Sequence, residues 1–138
     1  MKDPIEKSKG LMLETDVLAE SLLLGSDITI KDFLLLKPCY TTVIQVTELL
    51  EISESHTEQE TISKCYVGMR ILGIHPRYSE TIAKHLVVLK KIAPNVALRC
   101  AITATISQES SLPIITNRFY AVYSRLENVV TIKPSDIR

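Results

Sequence analysis

The sequence has no apolar run approaching the roughly 18 residues that a membrane-crossing helix needs, and it has no Cys-x-x-Cys pair, no internal repeat, no low-complexity stretch and no net charge. Each absence removes a class of protein. Three cysteines, Cys39, Cys65 and Cys100, are an odd number at unmatched spacing. They read as free thiols in a reduced cytoplasm rather than as a disulfide framework. His56, His75 and His85 show no zinc-ligand spacing and read as surface or packing residues. Lys2-Asp3-Pro4 does not open a secretion signal, so a cytoplasmic chain with no membrane association is expected. Zero net charge argues against a dedicated nucleic-acid binder.

What is present is a core. The chain has 138 residues, 46% of them hydrophobic, with a mean hydropathy of +0.16, enough for one domain that folds without disulfides and too apolar for a disordered chain. The charge is unevenly placed. Residues 1–60 hold 5 Lys and Arg against 12 Asp and Glu, a net of −7, and residues 61–138 carry the opposite +7. Such a split suits a molecule with an acidic site in one part and an anion-attracting face in another, and equally two ordinary solvated faces.

Residues 1–9 are polar and read as a flexible arm, leaving 10–138 as a single domain. Along it, short apolar runs alternate with helical patterns. Strands are expected at 11–14, 39–43, 71–76, 112–116 and 128–133. Helices are expected at 16–24 (closed by Gly25), from Ser26 or Thr29 to Leu36, at 45–55, from a Thr57-x-x-Glu60 capping box onward through Tyr66, Met69 and Leu72, and at 78–91, 96–109 and 118–126. Short strands alternating with helices imply an α/β fold with a parallel sheet covered on both faces. Ligand sites in such sheets lie beyond the carboxyl ends of the strands. Glu14-Thr15-Asp16 ends the first strand, the second runs into a helix carrying Glu48, and the fourth ends at Thr116-Asn117.

Those motifs in that order resemble the PIN domain family, and more narrowly its VapC-type toxins. "LMLETDVL" resembles the opening strand, "YTTVIQVTELLE" the second motif with its Glu at 48, "MRILGIHPRYSETIAKHLVVLKK" the middle strand and helix, and "CAITATISQESSLPIITNRF" the closing helix and strand. The resemblance spans residues 10–133. It implies a three-layer α/β/α domain with a central parallel sheet of four or five strands. It also implies metal-dependent RNA cleavage, with acids holding Mg²⁺ or Mn²⁺ that activates water, and an antitoxin partner, an RNA substrate and a homodimer. Carried over, the catalytic and metal-binding set is Glu14, Asp16 and Glu48, with Thr15, Cys100, Thr116, Asn117 and Arg118 lining the pocket. Two of the family's acids are missing: the third falls on Cys100 and the fourth on Asn117 or Arg118. The implied activity is therefore weak or altered cleavage. The alternative is an inactive PIN-like domain that retains RNA or protein binding. A receiver-type signalling domain is the third possibility, and it lacks a phosphate-accepting Asp after "ILGIHP".

Overall fold

A computed structural model describes residues 4–25, 30–65 and 67–137. The described chain opens with one helical turn, α1 (Pro4–Lys7), none of whose residues is buried. It continues through β1 (Leu11–Leu13), α2 (Thr15–Leu22), α3 (Ile30–Leu36), β2 (Cys39–Thr42), α4 (Val43–Ile52), α5 (His56–Cys65) and β3 (Met69–Leu72). It closes with α6 (Ser79–Ile92), α7 (Ala97–Ser110), β4 (Ile114–Ile115), α8 (Tyr120–Tyr123) and β5 (Thr131–Ile132). The expected helix starts at Ser26 or Thr29, and Tyr66, lie outside the described residues.

The sheet has five strands in the order β3-β2-β1-β4-β5, every neighbouring pair parallel. β1 is central because its three residues are all buried, and a strand's alternation sends them to both faces. Met12 and Ile114 enter one core with α6 and α7, while Leu11, Leu13 and Ile115 enter the other with Val17, Phe33, Leu49 and Ile62. Two cores on two faces make the three layers. Burying each such Leu or Ile contributes about 1.5–3 kcal/mol, which is why strands of two or three residues suffice. Gly10 admits β1 to its place: a Cβ there would lie 2.5 Å from the Tyr40 ring and 2.8 Å from the Pro38 carbonyl.

Most of α7 lies inside, while Leu98 and Glu109 face solvent. Ala97, Cys100, Ala101 and Ala104 are all buried in the core shared with α6, and small residues let two helices approach closely. The hydroxyls of Thr103 and Thr105 donate to the Arg99 and Ala101 carbonyls one turn back, which keeps these buried polar groups satisfied.

Most elements differ from expectation only at their ends, with α4 at Val43–Ile52 and α8 at Tyr120–Tyr123, and two differ in kind. Met69 and Leu72, expected on a helix, form the ends of β3, so that strand begins two residues earlier than expected. The Thr57-x-x-Glu60 cap gives way to one two residues earlier, in which Ser55 Oγ accepts from the Glu58 N–H and the Glu58 carboxylate accepts from the Glu54 N–H. The full capping box stands elsewhere, between Thr42 and Gln45 at the start of α4.

The chain builds β1, β2 and β3 outward on one side, then crosses to lay β4 and β5 on the other. The sheet therefore switches direction between β1 and β4, and the crevice beyond their carboxyl ends is where such folds place a ligand site.

Candidate functional site

Glu14 follows β1 directly and caps α2. Its backbone is extended, and its side chain accepts from the Thr15 N–H at 2.8 Å. It is wholly buried, an unusual position for a carboxylate unless it is paired. The partner is Arg99, the third residue of α7, 85 positions away. Arg99 Nη1 donates to Glu14 Oε2 at 2.5 Å and Nη2 to Glu14 Oε1 at 2.7 Å, a two-pronged pair. The same guanidinium reaches Glu48 on α4, through Nε to Oε2 at 3.0 Å and through Nη2 to Oε1. The Arg99 side chain is 14% exposed and that of Glu48 32%.

Further groups complete the pocket. Tyr123 Oη donates to Glu14 Oε2 at 2.5 Å, and Gln45 Nε2 donates to Glu14 Oε1 and Thr103 Oγ1, both at 3.0 Å. Thr15 Oγ1 donates to Glu48 Oε1 at 2.6 Å. Arg99 Nη1 also contacts Tyr123 Oη at 3.1 Å and Cys100 Sγ at 3.5 Å. The Phe119 ring covers the guanidinium, its centroid 4.2 Å from Cζ, a cation–π arrangement.

Burial alone pushes the Glu14 carboxyl up, but the hydrogen bonds and charge of Arg99, the Tyr123 hydroxyl and the Thr15 N–H together hold it below its ordinary value. Burial likewise disfavours charge on Arg99, and the two carboxylates overcome it and raise the guanidinium further, so it stays protonated. Burial keeps the Cys100 thiol neutral, its pKa raised despite the Arg99 contact. Tyr123 is raised well above the usual phenol range by burial and by the neighbouring Glu14 charge. No nucleophile is activated here.

The acids expected to act as one set are divided. Glu14 and Glu48 meet on Arg99, whereas Asp16 turns to the loop after β4. Its Oδ1 accepts from Thr116 Oγ1 at 2.7 Å, and its Oδ2 accepts from the N–H groups of Asn117 and Arg118 at 2.9 and 3.1 Å. Asp16 therefore holds that loop as a cap holds a helix. Thr15 Oγ1 and Cys100 Sγ both lie against the Arg99 guanidinium, at 3.3 and 3.5 Å. Thr116 and Asn117 belong to the Asp16 loop, and Arg118 is exposed, with its guanidinium on Phe119 at 5.0 Å.

A divalent cation does not fit these residues. Glu14 already accepts five hydrogen bonds, where two carboxylate oxygens offer about four lone-pair positions. A permanent positive charge lies between Glu14 and Glu48. Among the described residues no three of His, Cys, Asp and Glu form a group that could hold a metal. A separate cleft of about 930 Å³ lies at the opposite edge of the sheet, between α1, the α7–β4 turn and β5, and none of the expected site residues lines it.

The sequence reading missed Arg99, Gln45 and Tyr123. One signal was available for Arg99: it adjoins Cys100, the position of a missing acid.

No protein-family profile and no curated protein matches the chain. Solved structures do. VapBC2 from Rickettsia felis, bound to a DNA fragment from its promoter, aligns at a TM-score of 0.73 and 15% identity, over 89% of this chain and 97% of that one. A toxin–antitoxin complex from Klebsiella pneumoniae aligns at 0.63 and 22%, over 88% and 97%. VapBC-5 from Mycobacterium tuberculosis, of the VapBC family of toxin–antitoxin systems, aligns at 0.64 and 18%, over 91% and 99%. The likeness is one of fold: this chain has the PIN-like α/β architecture of those structures.

Proposed function

We propose that the chain is a PIN-like domain of the toxin–antitoxin kind that works by binding an antitoxin-type protein partner and does not hydrolyse RNA. The observation that carries this reading is the Arg99 guanidinium, which neutralises Glu14 and Glu48 where a nuclease of this fold needs acids free to hold a cation. Hydrolysis of a phosphodiester through such a site requires a metal to orient water and take up charge. An arginine fixed between the acids supplies neither open coordination positions nor a bound water of lowered pKa.

Support for a protein partner comes from the surface. α3 presents Leu34, Leu35 and Leu36 to solvent, Leu35 at 84% exposure, and Leu24 and Val67 are exposed as well. Among the described residues no helix is long and apolar enough to cross a membrane, so a membrane does not cover these side chains by way of a spanning helix. Clustered exposed leucines of this kind mark protein-binding surfaces.

Incubating the purified chain with single-stranded RNA and millimolar Mn²⁺ or Mg²⁺ tests the proposal. Cleavage is expected to stay at the level of a metal-free control and to be the same in Glu48→Gln. Robust metal-dependent cleavage by the natural chain, abolished by Glu48→Gln, would reverse the reading in favour of a working endoribonuclease toxin. An adjacent reading frame whose product co-purifies with the chain, and is released by Leu35→Asp, would support the partner-binding half.

A further inference from the structure

We infer that the pocket beyond β1 and β4 is a guanidinium-binding site, filled in cis by Arg99 and closed to divalent metal ions. The inference rests on the non-cleaving reading and adds the chemical class of ligand that the pocket takes. A hard divalent cation asks for oxygen ligands in several directions, near-octahedral for Mg²⁺. A guanidinium is planar, has five N–H donors around its rim and is weakly hydrated on its faces.

The pocket matches the second pattern at each point. Acceptors surround the rim: both oxygens of Glu14, both of Glu48, Thr15 Oγ1 and Tyr123 Oη, reached from Nε, Nη1 and Nη2. One face is covered by the Phe119 ring, which a hydrated metal ion would have no use for. Tyr123 Oη and Gln45 Nε2 are donors aimed at Glu14, so they occupy lone pairs that a metal would need and orient the carboxylate for the two-pronged pair. The Arg99 backbone is held in α7, eight of whose fourteen residues are buried.

The test removes the resident side chain and offers its replacements. Arg99→Ala is expected to melt well below the natural chain. Guanidinium chloride at about 10 mM, far below denaturing concentrations, should raise its melting temperature by roughly 2–5 °C through mass action. Mn²⁺ at the same concentration should not. Arg99→Lys, a point charge without the fork, should fail to restore natural stability. The Glu14→Gln/Arg99→Ala double variant lacks the unpaired buried charge and should not respond to guanidinium.

If Arg99→Ala does not fold alone, its recovery of helical circular dichroism on refolding with 10 mM guanidinium, and not with Mn²⁺, is the expected readout. Stabilisation or recovery by Mn²⁺ in preference to guanidinium would overturn the inference, and so would a response to neither. These outcomes are independent of the RNA assay, whose failure would show as cleavage by the natural chain.

Discussion

Arg99→Ala is expected to destabilise the fold by about 3–5 kcal/mol, the range seen when one partner of a buried pair is removed and the other charge is left stranded. Glu14 is wholly buried and cannot turn to solvent, so its carboxylate would keep only the Tyr123, Gln45 and Thr15 donors. For a chain of this length the loss corresponds to roughly 10 °C or more in melting temperature. Urea unfolding at pH 7 would measure it. Glu14→Gln/Arg99→Met should lose less than Arg99→Ala alone, because the penalty lies in an unpaired charge rather than in a missing contact. A cost under about 1 kcal/mol for Arg99→Ala would mean that the guanidinium is not what keeps Glu14 charged.

The second large effect is on acid stability. The folded pKa of Glu14 lies below its ordinary value of 4.5. A depressed carboxylate contributes stability that is present above the unfolded value and is lost as pH falls through the folded one. The natural chain should therefore lose stability progressively below about pH 4.5, as protonation of Glu14 breaks its pair with Arg99. Glu14→Gln should cost roughly 2–3 kcal/mol at neutral pH, less than Arg99→Ala because Glu48 still faces the guanidinium. Its stability should then change less on acidification. In Arg99→Ala the sign reverses: burial without a cation raises the Glu14 pKa, so that variant should gain stability as pH falls from 7 toward 5. Chemical denaturation across pH 3–7 for the three proteins checks both signs, and parallel curves would show that Glu14 and Arg99 are not coupled.

The parts of this fold visible in the sequence are those set by local pattern. Leu11-Met12-Leu13 before a polar break marks the central strand, and the Ala-rich spacing of α7 marks a close-packed helix. The parallel sheet follows from their alternation. What local pattern cannot carry is the choice between two compatible periods. Met69 and Leu72 fit a helix extended from Ile62, and only pairing with β2 makes them a strand. Likewise Ser55 and Glu58 outcompete Thr57 and Glu60 for the start of α5 through one turn of geometry.

The pairing within the pocket was not legible in the sequence. Glu14, Thr15, Glu48 and Cys100 each contact Arg99. Asp16 sits two residues after Glu14, which on the first turn of α2 aims it at the β4–α8 loop instead. The contact that decides the chemistry, Arg99 with Glu14, joins residues 85 positions apart and follows no period. Tyr123 shows the same limit. As an aromatic on a short helix it reads as core, and it is core, yet its hydroxyl completes the Glu14 carboxylate.

Following the melting temperature of the natural chain as Mn²⁺ is raised to about 10 mM tests most directly whether Arg99 stands where a metal would. The expected result is no saturable shift, and no change on adding a chelator, because an ion that does not bind the folded state cannot stabilise it. A saturable rise of several degrees, lost in Glu48→Gln, would contradict the account and show that the acids hold a metal despite the guanidinium between them.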